Sequence, residues 1–350
     1  MSRHYSRDPS ILSIVDIVEQ GSIRVPKVYN DYFNGGADAM ITSRDNVDAF
    51  TRYKLRPRVL RDVSNADLTT NIFGNKVAGP IGFAPAAAHR LAHPDGELAT
   101  SRAAAANNIP MGLSSWASES LEDVAAQGKG NPYMMQVTFF KDFVDLSVLG
   151  TRLNETRNKF SFPPNMKFPN LKDPDGGEEL LDWTAPGLDY DATICWDKSI
   201  AWLREQTKME IWLKGIYTGE DVELAIKHKL DGVIISNHGG RQLDGVPATL
   251  DALRECVAKG KGRIPIALDG GIRHGSDIFK AIALGADFCF VGRIPVWGLA
   301  YNGEAGVDLA VDLLLRGLKQ TMMLCGCRTL KDIKKEHLSV LQPDGILSKL

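Results

Sequence analysis

The sequence predicts an α/β protein built as a TIM (β/α)₈ barrel. Short apolar runs alternate with helical patterns along most of the chain, which is typical of a parallel sheet with both faces covered. Lys214, Ser236, Asp269 and Gly292 end four successive runs and stand 22, 33 and 23 residues apart, about the length of one βα unit. No GxGxxG motif follows the first run, which disfavours an open dinucleotide-binding sheet.

Seven runs are predicted as strands, because each is too short for a helix and is almost continuously apolar. They are Gly79–Ala84, Ile109–Leu113, Tyr133–Val137, Glu210–Lys214, Gly232–Ser236, Ile264–Leu268 and Phe288–Val291. Seven or eight such units favour a closed barrel. Helices are predicted over Gly96–Asn107 and over Asp277–Leu284, the second capped by Ser276 and ended by Gly285.

Residues 1–350 are predicted as one domain with two additions. Residues 154–195 are polar and Pro-rich, and they indicate a long loop between barrel units, of the kind that covers active sites. Residues 338–350 are interpreted as a tail that ends in Ser348-Lys349-Leu350. A carboxy-terminal S-K-L is an address for the peroxisomal import receptor, so the predicted location is the peroxisome, and otherwise the cytoplasm.

Composition excludes several classes of protein. A chain of 350 residues that is 44% hydrophobic and 24% charged is typical of a globular protein, and its net charge of −2 offers no basic surplus for nucleic acid. No signal peptide and no apolar stretch of membrane-spanning length is present, so no membrane partner is expected. Five cysteines without CxxC spacing indicate reduced thiols, and no metal site is predicted.

The densest group of polar residues follows the run Gly232–Ser236 and reads Ser-Asn-His-Gly-Gly-Arg-Gln-Leu-Asp. In a barrel, residues at the carboxyl ends of strands face the active site. His238, three residues before Arg241 on a glycine-rich turn, places a general base beside a carboxylate-binding guanidinium. The segments Asp269-Gly-Gly-Ile-Arg273 and Gly292-Arg293 supply the glycines, backbone N–H groups and arginines of a barrel phosphate site.

With these motifs, the sequence resembles the FMN-dependent 2-hydroxy-acid oxidase/dehydrogenase family, which includes glycolate oxidase, lactate oxidase and flavocytochrome b2. The resemblance extends from about Tyr29 to about His337. The chain leaves no room for the haem domain of flavocytochrome b2, so it is similar to the oxidase branch, which passes electrons to O₂ and releases H₂O₂. The resemblance implies FMN as cofactor, a small carboxylate as substrate and a homo-oligomer, tetrameric by family precedent.

The resemblance also implies a role for each matching residue. His238 is the expected base, oriented by Asp145, and Tyr32, Arg152 and Arg241 are the expected contacts of the substrate carboxylate. Lys214 is expected beside flavin N1 and O2, where a cation stabilises the charge of the reduced ring, and Trp116 resembles a residue of the substrate entrance. The other expected FMN contacts are Ala84, Pro85, Ala86, Ala87, Ser114, Gln136, Ser236, Asp269, Gly271, Arg273, Gly292 and Arg293.

The sequence departs from the family pattern in three places. Thr138 replaces a tyrosine of the substrate side, and the usual APTA reads Ala-Pro-Ala-Ala from Ala84. After Asp142 about twenty residues are absent that the family uses for a helix and the start of the fourth strand. Only the six residues from Thr138 to Phe143 would connect the end of the third strand to the fourth strand. They reach about 20 Å when extended, roughly one strand length.

One βα unit, around residues 138–146, is therefore predicted to be shortened or missing. Either the barrel is open or rearranged, or the sequence reflects a skipped coding segment. Phe143 stands where the family has a threonine that contacts the flavin.

Three functions follow from this pattern. The first is FMN-dependent oxidation of a 2-hydroxy acid to the 2-oxo acid, with O₂ as acceptor and H₂O₂ as product. The second is a flavin oxidase of a larger carboxylic acid or a nitrogen heterocycle in fungal secondary metabolism, since the sequence is similar to fungal members and Thr138 leaves room at the substrate. The third is an inactive flavin-binding relative.

Overall fold

The computed structural model describes residues 8–137, 150–171, 193–342 and 344–350, and a curled parallel sheet of seven strands forms its centre. The strands are β4 (Ile81–Phe83), β5 (Met111–Leu113), β6 (Tyr133–Met135), β7 (Trp212–Ile216), β8 (Gly232–Ile235), β9 (Ile266–Asp269) and β10 (Phe288–Val291). Their spatial order is β6-β5-β4-β10-β9-β8-β7. Because β4, the first of these strands in the chain, pairs with β10, the last, the sheet wraps round in the manner of a barrel.

The predicted fold class and the seven predicted strands are confirmed, with boundaries that shift by at most two residues. β6 and β7 are the two edges of the sheet, and they do not pair with each other in the part of the chain that the structure describes. Between them in sequence, residues 138–149 and 172–192 lie outside the described residues. The predicted shortened unit, with Thr138, Phe143 and Asp145, falls in the first of these ranges.

Eleven helices are described around the sheet and at its ends. They are α1 (Ile14–Ser22), α2 (Lys27–Asn34), α3 (Ile41–Arg52), α4 (Gly96–Ala106), α5 (Leu121–Gln127), α6 (Leu153–Arg157), α7 (Trp196–Gln206), α8 (Gly219–Lys227), α9 (Thr249–Gly260), α10 (Gly275–Leu284) and α11 (Arg293–Leu324). The longest, α11, is bent where Asn302 and Gly303 leave helical backbone angles. None of these helices is long and apolar enough to cross a membrane.

The predicted cap of α10 is wrong, whereas its end is confirmed. The helix begins at Gly275, so Ser276 lies inside its first turn, and Asp277 accepts the backbone N–H groups of Arg273 and His274 instead, at 3.0 and 2.9 Å. A carboxylate in the first turn also complements the helix dipole. Gly285 ends the helix in a left-handed conformation with φ of 114°, as the sequence predicts.

The amino-terminal end of the barrel is closed by a hairpin of β2 (Thr70–Ile72) and β3 (Asn75–Val77). Its turn residue Phe73 packs edge-on against Trp212 and Phe288, with ring centroids 5.2 and 6.0 Å apart. Trp212 and Phe288 are the first residues of β7 and β10. These apolar rings therefore cover the interior at the amino-terminal ends of β7 and β10.

The segment interpreted as a tail contains two strands, β11 (Leu338–Leu341) and β12 (Leu347–Lys349). With β1 (Tyr53–Leu55) they form an antiparallel sheet in the order β1-β11-β12. Ser348 lies opposite Val340, and its hydroxyl accepts a hydrogen bond from Gln342 Nε2 at 2.6 Å. The final tripeptide thus lies along the edge strand of a small sheet.

Candidate active site

A cavity of about 1590 Å³ opens at the carboxyl ends of the barrel strands. Ligand pockets in proteins usually measure about 300–1,000 Å³, so this one is large. From the polar strand ends it extends along the edge strands β6 and β7 to Phe73 and Trp212, near the amino-terminal end of the barrel. A cofactor and a substrate can therefore occupy it together.

Nearly all of the site residues expected from the sequence line this cavity. The exceptions are Ser236, which lies just behind the wall, and Asp145, which falls outside the described residues. The lining residues are Tyr32, Ala84, Pro85, Ala86, Ala87, Ser114, Trp116, Gln136, Arg152, Lys214, His238, Arg241, Asp269, Gly271, Arg273, Gly292 and Arg293.

Ser236 links a cation and a carboxylate from the two neighbouring strands. Its hydroxyl accepts from Lys214 Nζ at 2.8 Å and donates to Asp269 Oδ1 at 2.5 Å. Lys214 Nζ also lies 3.1 Å from Asp269 Oδ2. The ammonium group is therefore fixed at the cavity wall, as a group that stabilises negative charge on a bound ring must be.

His238 lies on a tight turn directly after β8, at a positive φ of 54°. Its backbone N–H donates to Ser236 Oγ at 3.1 Å. Burial, together with the positive charges of Lys214 and Arg241, holds the pKa of the His238 imidazole well below its usual range. The ring is therefore uncharged at neutral pH and able to accept a proton.

Side-chain hydrogen bonds hold this turn against α3, and one of the residues involved, Asn46, was not selected by the sequence analysis. Asn46 and Asn237 form a reciprocal amide pair, with N···O distances of 2.9 and 2.8 Å. Asp244 accepts the N–H groups of Ile41 and Thr42 at the start of α3, at 3.2 and 2.8 Å. Asp244 belongs to the predicted motif, so its spacing alone indicated a function, but Asn46 lies almost 200 residues away.

Arg293 contacts backbone rather than an anion in this structure. Its guanidinium donates to the carbonyl oxygens of Phe33, Gly239 and Gly35 at 2.8, 3.0 and 2.8 Å. These bonds join the His238 turn to the end of α2. Burial and the charges of Arg241 and Arg273 lower the pKa of Arg293 to about 9, which leaves it charged at neutral pH.

Arg152 and Arg241, the expected carboxylate clamp, lie together at the cavity wall with one carboxylate between them. Glu155 Oε1 is 3.0 Å from Arg152 Nη1 and 3.0 Å from Arg241 Nη2. Burial and the charge of Arg152 lower the pKa of Arg241 to about 10, so the Arg241 guanidinium keeps its charge at neutral pH. The sequence analysis missed Glu155, although its i,i+3 spacing from Arg152 is a recognisable ion-pair signal.

An apolar wall, defined by Tyr32, Trp116, Phe160, Phe162 and Phe168, covers the other side of the cavity. Tyr32 stacks on Phe160 with a centroid distance of 4.4 Å, and Trp116 contacts Phe168 edge-on at 5.4 Å. Burial raises the pKa of Tyr32, so its hydroxyl stays protonated and able to donate. The three phenylalanines come from residues 154–195, the segment that the sequence analysis predicts to be an active-site loop.

The residues at the ends of β9 and β10 fit the FMN that the family binds. Arg273 is buried over the ring of Trp297 at 4.7 Å and donates to the carbonyl of Ile272. No carboxylate lies within salt-bridge distance of it in the described parts of the chain, and burial lowers its pKa to about 10. A buried cation without a partner ion is costly, so Arg273 matches a phosphate.

The backbone of this region also leaves room for such a group. A Cβ atom at Gly292 would meet only Ala84, at 3.9 Å, so the wall is open there. Gly271 has a φ of 78°, and a Cβ atom there would lie 1.8 Å from the carbonyl oxygen of Asn46. Only glycine permits this close approach of the turn to α3.

The chain matches known proteins along almost its whole length. The family model described as FMN-dependent dehydrogenase matches residues 22–144 and 140–340. A protein named Oxidase FUB9 from Fusarium oxysporum is 48% identical over 374 aligned positions, covering 100% of this chain and 97% of the relative. Glycolate oxidase of Spinacia oleracea is 41% identical, covering 90% of this chain and 92% of the relative.

Among the solved structures that share the fold, two illustrate the similarity. A mandelate oxidase mutant with (S)-mandelic acid superposes with a TM-score of 0.84 at 32% identity, covering 94% of this chain and 98% of the other. A soluble mutant of the membrane-associated (S)-mandelate dehydrogenase from Pseudomonas putida gives 0.86 at 30% identity, covering 94% and 99%.

These matches also bear on the shortened unit. The 374 positions of the Fusarium alignment exceed the 350 residues of this chain by 24, so the relative has at least that many residues without a counterpart here. The two segments of the family match overlap at residues 140–144, inside the region of the predicted shortening. Both observations agree with the absence of about twenty residues that the sequence indicates.

Replacing Arg273 with glutamine is expected to weaken FMN binding roughly tenfold to a hundredfold, because the phosphate loses a charge-assisted partner. Titration of the apoprotein with FMN, followed by flavin fluorescence, measures the change. Arg263→Gln is the matched control, since Arg263 is exposed and pairs with Glu223. Equal FMN affinity in the Arg273 variant and the control would show that Arg273 does not hold the phosphate.

Proposed function

Because the chain belongs to the FMN-dependent dehydrogenase family, we propose that it oxidises a 2-hydroxy acid to the 2-oxo acid and passes the electrons to O₂, releasing H₂O₂. One observation carries the proposal: an uncharged histidine, His238, and two arginines, Arg152 and Arg241, line the same cavity as the residues that fit FMN. The names of relatives such as glycolate oxidase and Oxidase FUB9 support O₂ as the acceptor.

In this mechanism the arginine pair and the Tyr32 hydroxyl hold the substrate carboxylate. That contact fixes the position of the α-carbon and its hydroxyl group relative to the base. His238 then takes the substrate proton while the α-carbon is oxidised, and the neighbouring cations stabilise the negative charge that develops. When bound, FMN supplies the acceptor for the two electrons.

A second candidate is a larger carboxylic acid as the substrate of the same chemistry. The apolar wall favours it, because four of its aromatic rings line the cavity and match a bulky apolar substituent better than the hydrogen of glycolate. The solved mandelate oxidase with (S)-mandelic acid is a related fold that holds an aromatic acid. A nitrogen heterocycle that carries a carboxylate would use the same clamp.

The test is an anaerobic visible spectrum of the FMN-loaded protein before and after each acid of a panel from glycolate to (S)-mandelate. We expect the flavin bands to bleach, fastest with the bulky acids. His238→Gln is expected to keep its FMN and to slow bleaching by roughly a thousandfold or more, because the base is lost.

Two other outcomes have clear meanings. Bleaching by glycolate alone would contradict the second candidate. A wild-type protein that stays oxidised with every acid would contradict the proposed activity and favour an inactive flavin-binding relative.

We also propose that Ser348-Lys349-Leu350 directs the protein to the peroxisome. A compartment that destroys H₂O₂ suits the proposed product, and the tripeptide matches the import signal. Within the described parts of the chain, β12 is an edge strand that pairs with β11.

We expect a fluorescent protein fused to the amino terminus to be found in peroxisomal puncta, and deletion of Ser348–Leu350 to make it diffuse. Fluorescence microscopy in fungal cells with a peroxisomal marker measures this. Replacement of the tripeptide by Ala-Lys-Leu, a conservative change, is the control. Diffuse fluorescence of the intact chain would contradict the proposal.

A further inference from the structure

Glu155 lies where a ligand of the arginine pair would be expected to bind. Its carboxylate lines the cavity and contacts Arg152 and Arg241 at once, at 3.0 Å from each. Its second oxygen is 3.3 Å from Arg152 Nη1. The contact has the chemistry of a substrate carboxylate held between two guanidinium groups.

The hydrogen bonds of Arg241 show which of its donors a ligand must use. Nη1 donates to the backbone carbonyls of Tyr32 and Gly35 at 2.6 and 3.1 Å, so both of its hydrogens are engaged by the protein. Nη2 donates to Glu155. Nη2 has two N–H donors and gives one of them to Glu155, so a substrate carboxylate that approaches Nη2 meets the negative charge of Glu155.

Arg152 is incompletely satisfied while Glu155 is in place. Its Nε is buried and has no hydrogen-bond partner among the residues that the structure describes, although Nη1 contacts both oxygens of Glu155. A buried N–H without an acceptor costs about 1–3 kcal/mol.

We propose that Glu155 is an internal stand-in for the substrate carboxylate, holding the arginine pair when the cavity is empty and yielding Arg241 Nη2 when the substrate binds. This inference rests on the proposed function, because it assumes that the arginine pair receives a carboxylate. Glu155 offsets the repulsion of two neighbouring buried cations in the free protein. The same contact makes the substrate bind more weakly than an unopposed arginine pair would allow.

The test compares binding of two unreactive products, pyruvate and benzoylformate, to the FMN-loaded protein by titration calorimetry. Glu155→Gln keeps the size of the side chain and removes the competing charge. We expect it to bind both 2-oxo acids about tenfold more tightly than the wild type, because the ligand then reaches Arg241 Nη2 without a competing anion. Glu155→Ala, as a second variant, is expected to change affinity in the same direction.

The matched control is Glu223→Gln, which removes a carboxylate from an exposed pair with Arg263, away from the cavity. It is expected to bind as the wild type does. A second readout is thermal melting: without ligand, Glu155→Gln should melt at a lower temperature than the wild type, and pyruvate should raise its melting temperature by a larger amount. A residue with only a structural role would lower the melting temperature without tightening ligand binding.

The binding results distinguish the stand-in role of Glu155 from the proposed function. Unchanged or weaker binding in both Glu155 variants, with clear binding by the wild type, would overturn the stand-in role and leave the proposed function standing. Absence of binding in wild type and variants alike would overturn both. Tighter binding in the variants, with the control unchanged, would support both.

Discussion

The positive charge around the cavity is the constraint on which the rest of this structure depends. Lys214, Arg152, Arg241, Arg273 and Arg293 all line one space, and burial lowers the pKa values of Arg241, Arg273 and Arg293. Placing cations in a desolvated site costs free energy unless anions or carbonyl dipoles compensate it. The fold supplies part of that compensation, and anionic ligands complete it.

The backbone supplies its share at the junction of α2 with the turn after β8. Carbonyl oxygens of Phe33, Gly35 and Gly239 accept the hydrogen bonds of Arg293, and those of Tyr32 and Gly35 accept from Arg241. The same arginines thereby connect the segment that carries Tyr32 to the turn that carries His238. The positive charges of the cavity are therefore linked to its backbone geometry, since the arginines that attract an anion also hold the turn that carries His238 in place.

Much of the fold and of the site could be predicted from the sequence, because the ends of regularly spaced strands lie at the same end of a barrel. Residues that follow parallel strands meet at one end of the sheet, and all the expected site residues that the structure describes, except Ser236, line the cavity there. Contacts between distant segments carry no such periodic signal. The pairing of Asn46 with Asn237 and the insertion of Glu155 between two arginines depend on how α3 and α6 dock.

The capping rule failed at the start of α10, where two residues compete to cap the helix. Ser276 is a good capping residue, but Asp277, three positions after His274, accepts the backbone N–H groups of Arg273 and His274, so the helix begins before Ser276.

The central claim is that desolvation, together with the positive charges of Lys214 and Arg241, keeps His238 uncharged so that it can act as a base. Its most direct test is the pH dependence of the anaerobic rate of flavin reduction at low substrate concentration. A base works only when unprotonated, so the rate is lost as the pH falls through its pKa in the folded protein. Because that pKa is lowered, the rate should stay level through pH 6.5, the ordinary histidine value, and fall only at more acidic pH. A half-maximal rate at or above pH 6.5 would contradict the claim.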